Sequence, residues 1–253
     1  MPANSRPPAI RNRLLAALPR EEYRRLLPHL ETVPLPLTDV LYEGGEPIKH
    51  VYFPNDGLIS LLVVMKDETP REVGLVGNEG MLGLPVVWGM SATPIRALVQ
   101  MPGSAARMKA AALRGELKRG GALQNVLHGF AHGLFAQVSQ SAACVGSHPV
   151  DKRLSRWLVM THDHAPGDVF AMKHEFMAMM LGVTRSVVTR AAGRLQQEKM
   201  IRYTRGQVTV LDRRGLEANA CECYAAVKAE YARRGAKNQG RSQAVADARL
   251  LAR

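Results

Sequence analysis

The sequence has few cysteines, no long apolar run and no internal repeat, and these absences exclude several classes of protein. Three cysteines among 253 residues are an odd number, which does not suggest a disulfide framework. The N-terminal segment MPANSRPPAI lacks the apolar core of a secretory signal. The longest apolar run, residues 58–65, is too short to cross a bilayer. We therefore expect a reduced, cytoplasmic protein without a membrane partner.

Catalytic and metal-binding signatures are also missing. We find no nucleophile elbow, phosphate-binding loop or paired-carboxylate motif. His162 and His164 in the run THDH have no fixed ligand geometry, and the run indicates a solvated loop. Cys221 and Cys223 are two positions apart on a predicted helix and would point away from each other, which favours ordinary packing and leaves a redox role open. We expect no enzyme, no metal site and no cofactor.

Positive charge is present in excess and is unevenly distributed. Lys and Arg total 34 against 22 Asp and Glu, a net charge of +12. Residues 1–149 carry 15 basic and 12 acidic side chains, whereas residues 150–253 carry 19 basic and 10 acidic ones. The C-terminal excess of nine charges indicates a polyanionic partner, which is usually nucleic acid or an anionic membrane.

The N-terminal part of the chain is predicted to be a β unit. Residues 1–20 form an arm, and two short helical patterns are broken at Pro19 and ended near Pro28. Between residues 33 and 108 the β-rich runs HVYFP, LISLLVV, REVGLV and RALVQM are separated by the turn signals EGGEP, PNDG and KDETP. The pattern indicates many short strands, and it leaves sandwich, barrel and jelly roll open.

A long helix is predicted from about residue 121 to residue 143. Four apolar residues recur along it at the spacing of a coiled coil, and they are Leu123, Leu127, Phe130 and Leu134. We expect this narrow seam to pack against a second copy of the chain. Packing against the chain's own β unit is the alternative. The run GSHP at 146–149 predicts a hinge, and an amphipathic helix with Leu154, Trp157 and Leu158 inward follows it.

Three residues in the C-terminal part have the spacing of a helix-turn-helix. Ala178 is small where two helices approach, Gly182 allows a tight turn, and Val188 packs back across the first helix. Thr184 is the expected N-cap of the second helix. The inner face of that helix is predicted to contain Val188, Ala191, Ala192 and Leu195.

The outer face of the second helix is basic, and a hairpin is predicted directly after it. Arg185 and Arg190 could donate two hydrogen bonds each to guanine in a major groove, whereas Arg194 lies further along the helix. The run EKMIRYTRGQVTVLD predicts two strands with a turn at residues 204–206. Such a hairpin is the wing of a winged helix, and Arg205 at its tip can reach a phosphate.

This order of elements resembles the Crp–Fnr family of bacterial transcription regulators. The resemblance covers residues 26–231 and is most specific over 172–212, where the sequence is MKHEFMAMMLGVTRSVVTRAAGRLQQEKMIRYTRGQVTVLD. It implies an α+β fold with a cyclic-nucleotide-binding-like β-roll (a double-stranded β-helix, or jelly roll) and a winged helix-turn-helix. The implied boundaries are 21–118 for the β-roll, 119–147 for a dimerisation helix and hinge, 148–234 for the winged helix and 235–253 for a tail.

The resemblance also implies partners and contacts. The protein would be a homodimer that binds a palindromic operator in double-stranded DNA and contacts RNA polymerase. Matched on Gly182, the family's base-contacting positions fall at Arg185, Ser186 and Arg190. Ser186 stands where the family has Glu, so the family's usual half-site is not expected. Contacts to the DNA backbone are expected from Lys173, His174, Thr184, Thr189 and Arg205.

The resemblance to a cyclic-nucleotide pocket is incomplete. The run GNEGMLGLP keeps the glycines, but Met81 stands where the family's Glu holds the ribose, and the position of the phosphate-binding Arg falls near Ser91. Without that Arg the pocket loses its main charge-assisted hydrogen bonds. We therefore expect a degenerate effector pocket, an unknown effector and no cyclic AMP; the pocket residues are Gly80, Met81, Leu82, Gly83 and Ser91.

Two alternative functions fit the sequence less well. The oxygen-sensing branch of the family needs an N-terminal cysteine cluster for iron–sulfur ligation, and no cysteine precedes Cys144. A sensory protein with a cyclic-nucleotide-type domain could instead act through protein partners. The basic winged helix argues against this alternative.

Overall fold

A computed structural model of the protein describes residues 11–233. The described chain opens with two short helices, α1 (Arg13–Ala16) and α2 (Arg20–Leu26). Five strands follow, and they are β1 (Glu31–Leu35), β2 (Val40–Tyr42), β3 (His50–Val64), β4 (Pro70–Val76) and β5 (Ile95–Lys109). Two helices lead out of this β unit, α3 (Ala110–Leu117) and the long α4 (Ala122–Ser147).

The C-terminal part combines helices with a small sheet. Its elements are α5 (Val150–His162), β6 (Val169–Ala171), α6 (His174–Leu181), α7 (Arg185–Gln197), β7 (Ile201–Thr204), β8 (Gln207–Val210) and α8 (Arg213–Asn219). Residues 223–233 form the last described helix, α9. The sequence pattern missed β6, because three residues are too few to show alternation. It also predicted a single helix where the structure has two, α8 and α9. The predicted tail at 235–253 and the arm at 1–10 lie outside the described residues.

All five N-terminal strands belong to one antiparallel sheet. Its order is β1-β5-β3-β4, and β2 also pairs with β5. Strands β3 and β5 pair over most of their length, from His50 opposite Lys109 to Val63 opposite Ile95. Their register shifts between residues 54 and 59, and such bulges bend strands and increase their twist. The sheet therefore curls around a hydrophobic core, and the predicted α+β fold with a β-roll is confirmed.

The run PNDG lies inside β3, so the prediction of a turn there was wrong. Gly57 has φ +82°, and a Cβ at this position would come within 2.8 Å of the carbonyl oxygen of Met101 on β5. The Asp56 carboxylate accepts a hydrogen bond from the Ser104 hydroxyl at 2.9 Å. Residues that favour turns also form bulges, because both need unusual backbone angles and side-chain hydrogen bonds.

The first described residues pack onto the β-roll, so the predicted arm ends earlier than residue 20. Leu14 and Leu15 are buried in the core of the β-roll. The side chain of Asn12 is fully buried, and its amide donates hydrogen bonds to the carbonyl oxygens of Pro54 (2.9 Å) and Gly80 (2.8 Å). The break at Pro19 therefore separates two helices and is not a domain boundary.

The apolar stripe of α4 faces the β-roll of its own chain. Its members, between 0% and 8% exposed, are Leu123, Leu127, Phe130 and Leu134. They share one hydrophobic core with Phe53 and Met81 of the β-roll. The prediction that these residues form a dimer seam was therefore wrong, and the alternative of packing against the chain's own β unit is correct. The spacing identifies a buried stripe and does not identify what covers it.

Helix α9 runs antiparallel along a second side of α4. Gln137 donates to the Tyr231 hydroxyl at 3.4 Å, and His132 lies 3.2 Å from Glu230. A Cβ on Gly133 would come within 2.9 Å of the Tyr231 ring, so this glycine allows the close approach. Among residues 11–233, no helix is long and apolar enough to span a membrane.

Candidate nucleic-acid interface

Helices α6 and α7 form a helix-turn-helix in which Gly182 makes the turn. Its φ is +67°, in the left-handed region that costs glycine least. The N–H groups of Gly182 and Val183 both bond to the carbonyl oxygen of Ala178, the latter at 3.0 Å. Ala178 and Val188 are 5% and 0% exposed. The structure thus confirms the predicted roles of Ala178, Gly182 and Val188.

Helix α7 has one buried face and one exposed face. The inner residues are at most 1% exposed, as predicted, and they are Val188, Ala191, Ala192 and Leu195. The exposed residues of its first two turns include Arg185, Ser186, Thr189 and Arg190. The positive end of the helix dipole lies at this same end. Two arginines and the helix N-terminus therefore present positive charge from one exposed surface.

The three predicted base-contacting residues lie on this surface with different surroundings. Arg185 pairs with Glu175 of α6 at 3.0 Å, and both side chains are more than half exposed. Such a surface ion pair contributes about 0–1 kcal/mol, so Arg185 can exchange it for another acceptor. Ser186 shares a hydrogen bond with the Thr184 hydroxyl at 3.0 Å. Among the described residues, Arg190 has no ion-pair partner.

Arg194 is separated from these arginines by its own partner. Its guanidinium lies 2.5 Å from the Asp151 carboxylate at the start of α5. This pair links α7 to α5 on the side away from the first turn of α7. The sequence predicted that Arg194 lies apart from the groove-facing residues. The ion pair with Asp151 is consistent with that prediction, because it connects Arg194 to α5.

His174 is buried, so the prediction that it contacts the DNA backbone was wrong. It is 8% exposed and its ring stacks on Tyr203 of β7, with centroids 3.9 Å apart. Its Nδ1 lies 3.0 Å from the Thr189 hydroxyl, which donates to the Arg185 carbonyl oxygen at 3.0 Å. Burial lowers the pKa of His174. The residue joins α6, α7 and the wing, a role that requires Tyr203 and was not readable from spacing.

The wing is a hairpin of β7 and β8, to which β6 adds a third strand. Arg205 and Gly206 form its two-residue turn with φ of +50° and +79°. Two successive positive φ angles are typical of a type I′ turn, which matches the twist of a hairpin. Arg205 is exposed at the tip, and Lys173 is exposed at the start of α6. A Cβ on Gly206 would lie 3.5 Å from Cγ of Lys173, so Lys173 lies next to the turn that contains Arg205.

The residues of the predicted effector pocket are mostly part of the hydrophobic core. Met81 and Leu82 are each 1% exposed, and Leu82 pairs with Tyr52 through two backbone hydrogen bonds. A Cβ on Gly80 would lie 2.4 Å from the ring of Phe130, so α4 closes directly over this loop. Ser91 is exposed and its carbonyl oxygen accepts from Ile48. The side chain of Met81 thus fills space inside the β-roll.

The loop that precedes these residues contacts the winged helix. Glu79 lies 2.9 Å from Nε2 of His164, and both side chains are at most 20% exposed. Burial lowers the pKa of His164, but the hydrogen bond and charge of Glu79 outweigh it and raise that pKa. His162 lies 2.9 Å from Asp168. The expectation of a solvated THDH loop was therefore wrong, because both histidines have partners. His164 pairs with Glu79, which is distant in the sequence, and His162 pairs with Asp168, which no sequence pattern links to it.

A small cavity of about 50 Å³ lies between the β-roll, α4, α5 and α6. Trp157 donates a hydrogen bond across its wall to Glu72 of β4 at 2.7 Å. Burial raises the pKa of Glu72 to about 7. The second oxygen of Glu72 and Nε of Arg156 are buried without a hydrogen-bond partner among the described residues. A cavity of this size holds a few water molecules, which can satisfy such groups.

The three cysteines come together at the hinge. Cys221 and Cys223 do not share a helix, because Cys221 precedes α9 and Cys223 begins it. Sγ of Cys144 in α4 lies 3.5 Å from Sγ of Cys221, and Nδ1 of His148 lies 3.6 Å from Sγ of Cys223. The prediction that Cys221 and Cys223 point away from each other was wrong, since it assumed one continuous helix.

Comparisons with known proteins agree with this geometry. The family model of the Crp-like helix-turn-helix domain matches residues 152–219. FixK2 from Bradyrhizobium japonicum superimposes with a TM-score of 0.65 at 16% identity, covering 76% of this chain and 98% of FixK2. A Crp-family transcriptional regulator from Thermus thermophilus gives 0.61 at 17% identity, with 74% and 96% covered. The regulator CLP from Xanthomonas campestris, described as c-di-GMP responsive, gives 0.59 at 15%, with 76% and 99% covered.

A search of curated proteins finds no match. The winged helix with its exposed basic face and the β-roll together define a DNA-binding transcription regulator. The winged helix matches the Crp-like helix-turn-helix domain, and the described chain has the fold of Crp/Fnr regulators.

Proposed function

We propose that this protein is a sequence-specific transcription regulator that binds a palindromic operator as a homodimer and reads a signal through its β-roll. The proposal rests on the exposed basic surface of α7, which is the second helix of the helix-turn-helix. This surface is formed by Arg185, Ser186 and Arg190. A regulator of this kind works on chromosomal DNA in the cytoplasm and acts together with RNA polymerase.

The first two turns of α7 are proposed to enter the major groove. Arg190 is the primary base reader because no ion pair with a described residue has to be broken first. Arg185 joins it after release from Glu175, and each arginine on a guanine discriminates by about 1–3 kcal/mol. Ser186 takes the position of a Glu in the family and offers only a hydroxyl. Lys173, Thr184, Thr189 and Arg205 remain the candidates for phosphate contacts.

The dimer is proposed to form on the exposed side of α4. With the buried stripe covered by the β-roll, a second stripe remains at spacings of three and four residues: Asn125, His128, His132, Phe135, Ser139 and Ala142. This is coiled-coil spacing, and Phe135 at its centre is 72% exposed. A second copy related by a two-fold axis would bury Phe135 against its equivalent. The same axis would present two α7 helices to half-sites about 34–36 Å apart.

The signal is proposed to act through the loop at residues 77–83. Phe130 of α4 contacts this loop at Gly80, and His164 of the winged helix contacts it at Glu79. A ligand that moves the loop would therefore act on the dimer helix and on the DNA-binding domain together. Met81 is buried and stands where the family has the Glu that holds the ribose, so the effector is proposed not to be cyclic AMP.

The test is selection of binding sites from random double-stranded DNA, followed by mobility shifts across a salt series. We expect an enriched palindrome and a log affinity that falls linearly with log salt concentration. A double Arg185→Ala, Arg190→Ala variant should lose the preference for this palindrome, while Arg194→Ala retains it. Weak binding with equal affinity for every sequence would refute the proposal.

A further inference from the structure

Four side chains with metal-ligating atoms converge where α4 meets the winged helix. They are Cys144, His148, Cys221 and Cys223, and their ligand atoms all lie within 4.8 Å of one another. The three thiols are at most 5% exposed and form a cluster apart from the two hydrophobic cores. We propose that this cluster is a structural zinc site with three thiolate ligands and one imidazole ligand.

Two of the distances match one tetrahedral ion, and all the ligand atoms lie within 4.8 Å of one another. Zinc bonds of about 2.3 Å to sulfur and about 2.0 Å to nitrogen place the ligand atoms of a tetrahedron about 3.5–3.8 Å apart. Cys144 and Cys221 have their sulfur atoms 3.5 Å apart, and Cys223 lies 3.6 Å from Nδ1 of His148. An iron–sulfur cluster would spread its ligands around several metal atoms. The compact arrangement favours a single ion, and three thiolates with one imidazole are a common set for structural zinc.

The backbone presents His148 to the thiols. Helix α4 ends at Ser147, and His148 has extended angles of φ −119° and ψ 141°. Its N–H still bonds to the carbonyl oxygen of Cys144 at 3.1 Å. The ring of His148 therefore returns toward the last turn of α4, where Cys144 lies.

Groups around the cluster have the arrangement of an outer shell. Nε2 of His148 lies 3.1 Å from the Glu222 carboxylate, which orients Nδ1 toward the thiols. Gln140 donates a hydrogen bond to Sγ of Cys223 at 3.1 Å. Burial lowers the pKa of Arg153 in α5, and negative charge on Cys144 and Cys221 opposes this by attracting its guanidinium. Cysteines that only pack in a core do not need a histidine, a carboxylate and an arginine around their sulfur atoms.

Binding releases three thiol protons and leaves one negative charge on the centre, because three thiolates meet one divalent cation. Arg153 offsets that charge. Two ligands belong to the end of α4 and the hinge, Cys221 lies between α8 and α9, and Cys223 is the first residue of α9. The ion therefore fastens the winged helix to α4 and fixes the angle between them. In the proposed dimer, that angle sets the distance between the two α7 helices.

The first measurement is the metal content of the full-length protein, purified without a histidine tag from zinc-supplemented cells. We expect about one zinc per chain. Replacement by Co²⁺ should give thiolate-to-cobalt charge-transfer bands and tetrahedral d–d bands. His148→Ala should lose most of the bound zinc, and His29→Ala, at an exposed histidine far along the chain, should keep it. Protein without zinc and without cobalt bands would refute the proposal.

Glu222 gives a test that does not depend on folding, because its side chain is 77% exposed. Glu222→Ala should weaken zinc affinity about 10-fold in competition with a chelator, and Glu222→Gln should recover part of it. If the four residues only pack against one another and bind no metal, neither variant changes zinc affinity. A disulfide between Cys144 and Cys221 in freshly purified protein, seen as the loss of two thiols, would also overturn the zinc assignment.

The consequence for DNA rests on the proposed function and is measured separately. Removal of zinc by a chelator should lower Tm and weaken operator binding at least 10-fold, and added zinc should restore both. Zinc content and cobalt spectra are recorded without DNA. A zinc-loaded protein that binds no operator would refute the proposed function and leave the metal site intact, whereas a metal-free protein that binds the operator would refute only the metal site.

Discussion

The three arginines of α7 have the same chemistry and three different environments. Arg185 pairs with an exposed carboxylate, Arg190 has no ion pair with a described residue, and Arg194 is held by Asp151 of α5. An arginine without a partner can donate to a guanine without first losing a contact. Arg190 also lies in the first two turns of α7, so its substitution is the most direct test of base recognition.

Arg190→Ala should relax specificity at one base pair of the half-site. The expected loss is about 1–3 kcal/mol of discrimination, because a bidentate contact to guanine disappears. Mobility shifts on a panel of single-substitution operators measure it. Arg194→Ala is the matched control, since it removes the same charge from the same helix. Equal discrimination by wild type and Arg190→Ala at every position would contradict this assignment.

Gly182 is constrained by its angles and by its neighbour. Its φ of +67° is unfavourable for other residues, and a Cβ would meet Cδ of Arg71 at 3.0 Å. We expect Gly182→Ala to lower the free energy of unfolding by about 1 kcal/mol or more. Urea denaturation measures it, with Gly193→Ala as control because a Cβ there has open space. Destabilisation by Gly193→Ala that equals or exceeds that by Gly182→Ala would count against the argument.

At the scale of elements, helix α4 has two stripes of side chains with different surroundings. One stripe is buried by the β-roll and the other contains the exposed Phe135. The sequence shows both stripes, because both have spacings of three and four residues. The buried stripe is formed by apolar residues, whereas the exposed stripe is mainly small and polar residues around Phe135 and is the one proposed to contact a second copy.

Phe135→Glu should give a folded monomer, because it places a charge in the proposed seam without disturbing the β-roll core. Leu127→Ala should instead destabilise the fold by about 2–5 kcal/mol, since Leu127 is fully buried. Sedimentation velocity and thermal unfolding separate the two effects. A Phe135→Glu protein that remains dimeric would place the interface elsewhere.

The wing is the second element whose role can be isolated. Arg205 is exposed at the tip of a hairpin whose turn has two positive φ angles. We expect Arg205→Ala to weaken binding to all sequences equally and to reduce the salt slope by about one, because one phosphate contact is lost. Affinities at several salt concentrations, on operator and random DNA, measure both. An altered sequence preference would mean that Arg205 reads bases.

At the scale of the molecule, the contact between Glu79 and His164 links the β-roll to the winged helix. Burial lowers the pKa of His164, but the hydrogen bond and charge of Glu79 raise it overall. Burial raises the pKa of Glu79, but the same hydrogen bond and the charge of His164 lower it overall. Asp163 adds a further attraction for the charged imidazole. The histidine therefore stabilises the folded state below its ordinary pKa of 6.5, and the carboxylate does so above its ordinary 4.5.

Stability from this pair should be greatest between about pH 4.5 and 6.5 and should fall as the pH rises through the raised pKa of His164. The Tm of wild type should decrease from pH 6.5 to pH 9 by more than the Tm of His164→Gln, which cannot titrate. His162→Gln, two residues away, is the control and should keep the dependence. Parallel profiles for wild type and His164→Gln would show that the pair contributes nothing.

Much of the fold and of the candidate interface could be predicted from local patterns. The spacing of Ala178, Gly182 and Val188 identified the helix-turn-helix, and alternation after it identified the hairpin at Arg205. These features depend on residues a few positions apart, whose relation is set by helix and strand geometry. The short strand β6, with three residues, had too little length to leave such a pattern.

The sequence by itself determined the identity of most elements, the basic excess of the C-terminal part and the exposed arginines of α7. Only the tertiary structure decided which stripe of α4 is covered, that His174 is buried under Tyr203, and that the cysteines meet. Cys144 and Cys221 are 77 positions apart, and their sulfur atoms are 3.5 Å apart. Periodicity relates neighbours along the chain, whereas contacts such as these depend on how whole elements pack against one another.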